Sequence, residues 1–212
     1  THLIDRSADK GFVIANDASS GRIPALRSVL ETWGGINQII TNYPGEAFGQ
    51  WFSGRFDLVL LDAPCSMENL RPTPNHPMRE TSIDERIRLQ ERQIQLLKSG
   101  LQALKPGGQI VYATCSLAPE EDETVIDSLL QQYPDSIQIE DASTKFGFET
   151  EGLSSFNGKT YHPDLKHALR LWPHKTGMSG FFCALMTLKK PIFAAKEPPP
   201  GRDFSATHLH HV

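Results

Sequence analysis

Cysteine is scarce in this chain of 212 residues: three are present, and their spacing fits no disulfide framework. A disulfide-stabilised secreted fold is therefore not indicated, and free thiols in a reducing compartment, the cytoplasm, are expected. No apolar run is long enough to cross a membrane, and the first residues, Thr1 to Asp5, lack the pattern of a signal peptide. We therefore expect no membrane partner.

An excess of basic residues is also missing, because the formal net charge is −4. Proteins that bind nucleic acid favour a basic surface, but the charge of a whole chain does not report a local patch. Hydrophobic residues make up 39% of the chain, which is enough to bury the core of one domain. We place this catalytic domain at residues 1–190, and a proline-rich linker and tail at residues 191–212. His208, His210 and His211 in the tail lack other ligands at motif spacing, so we predict no metal site.

Apolar runs alternate with amphipathic helical patterns along the chain. The runs lack polar alternation, which is typical of parallel strands that helices cover on both faces. A capping box at Ser82 and Glu85 begins one long helix, and Pro119 begins another. This alternation predicts an α/β fold with a doubly wound, mostly parallel sheet. The predicted strands are residues 11–16, 38–42, 56–61, 109–114, 137–139 and 180–186.

Two cysteines follow neighbouring predicted strands, within the tetrads Asp62-Ala63-Pro64-Cys65 and Ala113-Thr114-Cys115-Ser116. The ends of adjacent parallel strands lie about 5 Å apart, so both thiols can reach one bound pyrimidine. Cytosine C5 is a poor nucleophile that a thiolate activates by adding at C6, and a second base must then remove the C5 proton. The pair therefore points to an enzyme that methylates the cytosine ring. For a single cysteine the commoner role is that of a small buried hydrophobe, which is our interpretation of Cys183.

Asp17 ends the first predicted strand, at the edge where open α/β sheets bind their ligands. An acidic residue near this edge is the usual acceptor for the two hydroxyls of a nucleoside ribose. Asp17 is therefore a candidate ligand for an adenosine ribose. The alternative role, an N-cap for the helical segment that begins near Ser19, stays open.

Six segments form an ordered set of motifs: Asn16–Arg22, Leu61–Ser66, Lys105–Gly108, Tyr112–Ser116, Pro119–Glu121 and Gly180–Phe182. This set resembles the Fmu/NSUN (RsmB-like) family of S-adenosylmethionine-dependent RNA 5-methylcytosine methyltransferases. The resemblance covers roughly Thr1 to Lys189, and the two cysteine motifs are its most specific part. It implies a class I, Rossmann-like methyltransferase fold and S-adenosyl-L-methionine as cofactor. It also implies RNA as partner, with ribosomal RNA favoured and transfer RNA as the other choice.

The resemblance assigns catalytic roles to three residues. Cys115 is the nucleophile, Cys65 is needed for release, and Asp62 hydrogen-bonds near N3 of the cytosine. We expect the helix N-terminus near Pro119 to lower the pKa of Cys115. The cofactor-binding residues that the resemblance implies are Asp17, Asp62, Arg22, Asn42 and Pro64.

The chain departs from the family pattern in three places. The family's first strand and glycine-rich loop are absent from the sequence given, so we expect unpaired backbone groups on the flanking strands and impaired cofactor binding. The family often has an acidic residue after its third strand to meet the adenine, whereas Thr41–Pro44 offers Pro44 or its neighbours, which leaves that contact to Asn42 or the backbone. Ser66 stands near the place where a glycine is common, which leaves the identity of the RNA open. Further RNA-binding segments are expected outside this chain.

Two other functions stay open. A non-catalytic RNA-binding or assembly scaffold on a degenerate methyltransferase fold would explain the absent loop, but not the presence of both thiols. A methyltransferase for a protein or small molecule would leave the cysteine pair unexplained. Some basic side chains could form an RNA-facing patch, although solvated surface is the commoner role of such charges. They are Arg71, Arg79, Lys166, His167, Arg170 and Lys175.

Overall fold

The alternation of apolar and amphipathic segments produces an α/β fold in the computed structural model, which describes residues 1–7, 11–68, 81–142 and 150–193. Short 3-10 turns at Ser20–Arg22, Gly45–Ala47 and Pro163–His167 join the longer elements. The helices are α1 His2–Ser7, α2 Ile23–Trp33, α3 Phe48–Trp51, α4 Ile83–Ala103, α5 Glu123–Gln132 and α6 Pro173–Thr176. The strands are β1 Val13–Asn16, β2 Gln38–Thr41, β3 Phe56–Asp62, β4 Leu104–Thr114, β5 Ile137–Glu140, β6 Ser155–Phe156, β7 Lys159–Thr160, β8 Leu169–Leu171 and β9 Phe181–Leu188.

The main sheet has the strand order β3-β4-β9-β5, with β8 paired to the other end of β9. β3 and β4 are parallel, and β9 runs antiparallel to both β4 and β5. β3, β4 and β5 therefore share one direction. β1 and β2 form a separate parallel pair. The predicted α/β class with a mostly parallel sheet is confirmed.

The face of β3 that carries Leu58 and Leu60 differs from the prediction of a strand covered on both sides. Those two side chains are 45% and 54% exposed. The opposite face, with Val59, lies against α4 near Gly100. Within the described ranges, β3 pairs with β4 alone, and no strand joins it to the β1–β2 pair. The other edge of β3 therefore has no strand partner in these ranges.

Helix α4 supplies most of the cover for the main sheet. It begins as predicted, because the Ser82 hydroxyl accepts a hydrogen bond from the Glu85 N–H at 3.2 Å. Leu97 and Leu101 are fully buried against the sheet, while Ile83 in the first turn is 77% exposed. A Cβ added at Gly100 would lie 2.5 Å from the Ile110 side chain on β4, so a glycine lets helix and strand approach closely.

Three boundaries differ from the sequence prediction. Lys105–Gly108 is a bulge inside β4 rather than a turn before it, because β3 pairing skips from Leu104 to Gln109. Gly107 has a φ of 83°, a value that favours glycine. Helix α5 begins at Glu123, four residues after Pro119, because residues 119–122 form a turn. Helix α3 lies between the predicted strands at residues 38–42 and 56–61, where the sequence analysis placed no element.

No helix among the described residues is long and apolar enough to span a membrane. The same residues contain no group of three or more metal-ligating side chains. The histidines at positions 208, 210 and 211 lie outside the described residues, and so does the tail from residue 194 onward. The domain boundary at residue 190 stays a prediction.

The packing of α4 gives a stability prediction. Leu101→Ala should lower the free energy of unfolding by about 2–5 kcal/mol, because it leaves a cavity at a fully buried position. Val29→Ala on α2 is the control, since Val29 is 55% exposed and its loss should change stability by no more than about 0.5 kcal/mol. Urea denaturation of both variants is the measurement, and equal losses would contradict this description of the core.

Candidate active site

The two cysteine tetrads meet at the carboxyl ends of β3 and β4. Parallel pairing carries these strands to Asp62 opposite Ala113, and the Ala63 N–H donates to the Ala113 carbonyl at 2.9 Å. The chain then leaves the sheet as two segments, the first cysteine loop (residues 63–68) and the second cysteine loop (residues 115–118). The Sγ atoms of Cys65 and Cys115 are 2.9 Å apart, and neither cysteine forms a disulfide.

This contact makes the two thiols unlike each other. The hydrogen bond from Cys65 lowers the pKa of Cys115, and it outweighs burial and the negative charges of Asp62 and Glu121, which act the other way. The same hydrogen bond, together with burial, raises the pKa of Cys65 above its usual range. Of the two, Cys115 is therefore the more acidic thiol and Cys65 the less acidic one. The Cys65 thiol, not a helix N-terminus at Pro119, is the main cause of the lowered pKa.

Glu121 lies behind both cysteine loops and is fully buried. Its Oε1 accepts from the hydroxyls of Ser66 at 2.5 Å and Ser116 at 3.0 Å. Its Oε2 accepts from the Ser66 N–H at 2.8 Å and from Gln93 on α4 at 3.2 Å. One carboxylate thus contacts the residue that follows each thiol.

The next two carboxylates, Asp122 and Glu123, are also fully buried and share one cation, Arg170 on β8. Arg170 reaches Glu123 at 2.6 Å and 2.9 Å and Asp122 at 3.2 Å. It also donates to the Leu117 carbonyl in the second cysteine loop at 3.0 Å. Burial raises the pKa of Asp122 well above its usual range, although Arg170 and a 2.6 Å hydrogen bond from Thr114 oppose this.

Arg170 corrects the predicted basic patch. Its side chain has no exposed surface, so it is an internal ion-pair partner and cannot face RNA. Lys166 and Lys175 are exposed, and His167 is half-buried 3.6 Å from Asp141. The two remaining members, at positions 71 and 79, lie outside the described residues.

A second polar cluster occupies the ends of β1 and β2. Asp17 accepts from the Ser19 N–H at 2.7 Å and pairs with Arg22 at 2.9 Å and 3.1 Å. Asn42 donates to the Asp17 carbonyl at 2.6 Å, and this contact joins the two strand ends. The Ser19 contact is an Asx-type turn rather than the N-cap that the sequence left open for Asp17, because Ser19 itself stands at the N-cap position of the 3-10 turn Ser20–Arg22. These contacts use three of the four acceptor positions of the carboxylate, so Oδ2 retains one for a ligand hydroxyl.

Comparison with known proteins places this geometry in a family. Residues 1–187 match the family model described as 16S rRNA methyltransferase RsmB/F. The chain belongs to this family. The resemblance inferred from the motifs is therefore confirmed.

Curated members of the RsmB/F family and related enzymes are similar over most of this chain. Ribosomal RNA small subunit methyltransferase F of Erwinia tasmaniensis is 32% identical over 95% of this chain and 40% of its own length. The 25S rRNA (cytosine-C(5))-methyltransferase nop2 of Schizosaccharomyces pombe is 36% identical over 87% and 30%. The 28S rRNA (cytosine-C(5))-methyltransferase of Mus musculus is 34% identical over 98% and 26%. The chain thus spans less than half the length of each.

Solved structures agree with the fold of the RsmB/F family. A methyltransferase homologue from Pyrococcus horikoshii has a TM-score of 0.70 and 31% identity, covering 84% of this chain and 53% of its own. NSun6 of the same organism, solved with SFG, has a TM-score of 0.69 and 23% identity, covering 89% and 44%. The predicted class I, Rossmann-like methyltransferase fold is confirmed.

The predicted site residues fall into two groups in this RsmB/F family chain. Cys65, Cys115 and Asp62 meet at the ends of β3 and β4. Asp17, Arg22 and Asn42 form the second cluster, at the ends of β1 and β2. Pro64 lies in the first cysteine loop, where its carbonyl accepts from Gln93 at 2.8 Å. Cys183 sits in β9 opposite Ala113, where burial raises the pKa of its thiol to about 11. The catalytic and cofactor roles of these residues stay predictions.

Sequence reasoning missed the buried carboxylates behind the thiols. Four acidic residues run from Glu120 to Glu123 directly before an apolar helix. Such a run usually indicates a solvated surface, yet three of the four are buried. Its position just after the second cysteine tetrad was the available signal.

The thiol contact gives a pH prediction. Cys115 reacts with iodoacetamide as its thiolate, so alkylation rises through the Cys115 pKa and should have a midpoint below that of an ordinary cysteine. Cys65→Ala removes the hydrogen bond that lowers this pKa, so the midpoint should move to higher pH. Peptide mass spectrometry across a pH series measures Cys115 alone. Cys183→Ala is the control, and an unchanged midpoint in Cys65→Ala would refute the assignment of the thiolate.

Proposed function

We propose that this chain is the catalytic part of an enzyme that transfers a methyl group from S-adenosylmethionine to C5 of a cytosine in ribosomal RNA. The observation that carries the proposal is the pair of unlike thiols, 2.9 Å apart at the ends of two parallel strands. Ring methylation at C5 requires one nucleophile and one proton acceptor on the same base, and this pair can supply both. The names of two curated relatives give cytosine-C5 methylation of rRNA, and the name of the third gives rRNA methylation, which supports the proposal.

Cys115 is the nucleophile of the proposed reaction. As a thiolate it adds to C6, which moves electron density to C5 and forms a covalent bond between enzyme and base. S-adenosylmethionine would supply the methyl group to C5 and leave as S-adenosylhomocysteine. Asp62 lies at the end of β3, where, transiently protonated, it can donate a hydrogen bond near N3 and stabilise the negative charge that develops in the ring.

Cys65 completes the cycle. While Cys115 is a thiolate, its charge and hydrogen bond hold the proton on Cys65. Once Cys115 is bonded to C6 that charge is gone, so the pKa of Cys65 falls and its proton can pass to water. The Cys65 thiolate then takes the C5 proton, the C5–C6 double bond forms again, and Cys115 leaves as a thiolate.

The cofactor site of the proposal is the cluster at the ends of β1 and β2. The free acceptor position on Asp17 suits a ribose hydroxyl. The Arg22 side chain is 73% exposed and can move away, which would free the acceptor positions that it occupies on Asp17. The Asn42 amide donates to backbone, so its carbonyl oxygen is the group left for an adenine amine. Pro64 and Asp62 border the space between this cluster and the thiols in the proposal.

RNA is the proposed partner, and ribosomal RNA is favoured because the family and the similar proteins are named as rRNA methyltransferases. The target cytosine must be unstacked to reach the thiols, which suits single-stranded or flipped RNA. A reducing compartment such as the cytoplasm would keep Cys65 and Cys115 in the free forms that the reaction needs. RNA-binding segments outside this chain belong to the same proposal.

Substitution of each thiol separates the two roles. With S-adenosylmethionine and unmodified ribosomal or transfer RNA transcripts, Cys115→Ala should abolish both turnover and covalent adduct. Cys65→Ala should allow attack and methyl transfer but block elimination, so a denaturant-resistant protein–RNA complex should accumulate on a gel. Cys183→Ala is the matched control and should turn over normally.

Two results would contradict this scheme: an adduct in Cys115→Ala, or normal turnover in both variants. RNA binding without methyl transfer would favour the non-catalytic scaffold instead. The two RNA types in parallel show which class is the substrate.

Asp17 gives an independent prediction about the cofactor. Asp17→Ala should remove hydrogen bonds worth about 1.5–3 kcal/mol each and weaken binding of S-adenosylhomocysteine at least about tenfold in calorimetric titration. Asp17→Asn keeps an acceptor for the Ser19 N–H but loses the second carboxylate oxygen, so it should also bind more weakly while its turn stays intact. Unaltered affinity in both folded variants would leave Asp17 with its role in the turn alone.

A further inference from the structure

Glu121 connects two loops that the sheet itself does not connect. Pairing between β3 and β4 ends with Asp62 opposite Ala113 and one further hydrogen bond from Ala63. Both thiols lie beyond that point. A direct contact between the hydroxyls of Ser66 and Ser116 is long, at 3.4 Å.

The four contacts of Glu121 share one property: all four partners are donors. Two come from Ser66, one from Ser116 and one from Gln93. An ionised carboxylate is an acceptor-only group, so it satisfies all four together. Because Glu121 is fully buried, these donors also offset the cost of removing its charge from water. The contacts therefore hold residue 66 and residue 116 against one group, each next to a thiol.

We propose that Glu121 is a positioning residue that sets the separation of Cys65 and Cys115 by anchoring both cysteine loops to one carboxylate. This inference rests on the proposed function, in which both thiols must address one base. Glu121 does not contact the reacting atoms in this scheme. It acts through Ser66 and Ser116, each of which directly follows one of the two cysteines in the chain.

The charged groups around the thiols allow a test of the proposal, which is the direction in which the pKa of Cys115 changes. Asp62 from β3 and Glu121 itself both raise the pKa of Cys115, while the hydrogen bond from Cys65 lowers it and is the larger effect. The pKa of Tyr112 on β4 is raised by burial first, and then by the negative charges of Asp122 and Glu121. Removing the Glu121 charge alone should lower the Cys115 pKa. Releasing the two loops should raise it, because the hydrogen bond from Cys65 is lost.

The variant Glu121→Gln keeps the side-chain size but turns one oxygen into a donor that faces other donors. We expect the midpoint of Cys115 alkylation by iodoacetamide to rise. We also expect kcat for methyl transfer to fall about a hundredfold, because a misplacement of about 1 Å at a reacting group costs that much. KM for the RNA transcript should change little, since Glu121 is buried and cannot touch RNA.

Glu123→Gln is the matched control. Glu123 is equally buried and bonds Arg170 and the Leu153 N–H, but it contacts neither thiol-flanking serine. Its substitution should lower the unfolding temperature and leave the Cys115 midpoint at the wild-type value. A general loss of packing would shift the Cys115 midpoint by the same amount in both variants.

Ser66→Ala keeps the proposal testable if Glu121→Gln does not fold. It removes one of the four donors, and it should raise the Cys115 midpoint by a smaller amount in the same direction. A midpoint that falls or stays unchanged in the folded variants would overturn the positioning role.

Alkylation needs neither RNA nor cofactor, so the two proposals fail separately. A raised midpoint together with an adduct in Cys115→Ala would overturn the proposed function and leave the positioning of the thiols standing. Normal methylation with no rise of the midpoint would overturn the positioning role alone.

Discussion

Burial of three consecutive carboxylates, Glu121, Asp122 and Glu123, constrains the whole end of the molecule that carries the thiols. A buried carboxylate is unstable without donors, and one cation cannot satisfy three such groups. The donors are therefore divided. Arg170 serves Asp122 and Glu123, while hydroxyl and amide groups from α4 and both cysteine loops serve Glu121. Burial raises the pKa of Asp122 well above its usual range, and Arg170 and Thr114 oppose this. The path of the chain after β4 follows from the need to satisfy these groups.

The chemistry of the site depends on a difference between two residues of one type. Cysteines in similar loops would have similar acidities, but one hydrogen bond makes Cys115 the better thiolate and Cys65 the retained thiol. The difference exists only while the Sγ atoms stay close. In the proposed reaction the difference ends when Cys115 becomes bonded to carbon, because the charge that holds the proton on Cys65 is then absent. A single geometric constraint thus serves both the attack and the release in the proposed reaction.

The cofactor side of the site has a different physical basis. Asp17 and Asn42 are held by local contacts at the ends of β1 and β2, and within the described part of the chain no backbone ladder links that pair to β3. The free face of β3 carries the exposed side chains of Leu58 and Leu60. The sequence placed Asp17 at the end of a strand, but its turn with Ser19 and its pairing with Arg22 came from the structure. The distance from this cluster to the thiols is a property of the sheet as a whole, and short-range patterns do not contain it.

The sequence by itself determined the α/β class, most strand and helix positions, and the two cysteine tetrads, because apolar periodicity, caps and motif spacing are local properties. It predicted that Cys65 and Cys115 would reach the same place, since neighbouring parallel strands end together. The sequence analysis wrongly placed Arg170 in a surface patch, because arginine is usually exposed. It gave no role to Glu121, because acidic runs are typical of solvated surface. Only the tertiary structure decided these two cases. Arg170 comes from β8 and meets acids some 47 residues earlier in the chain, and Glu121 meets Ser66 across 55 residues. Burial and pairing at such separations depend on how the strands assemble. The pKa of each thiol depends on the same assembly, because it is set by the contact between Cys65 and Cys115.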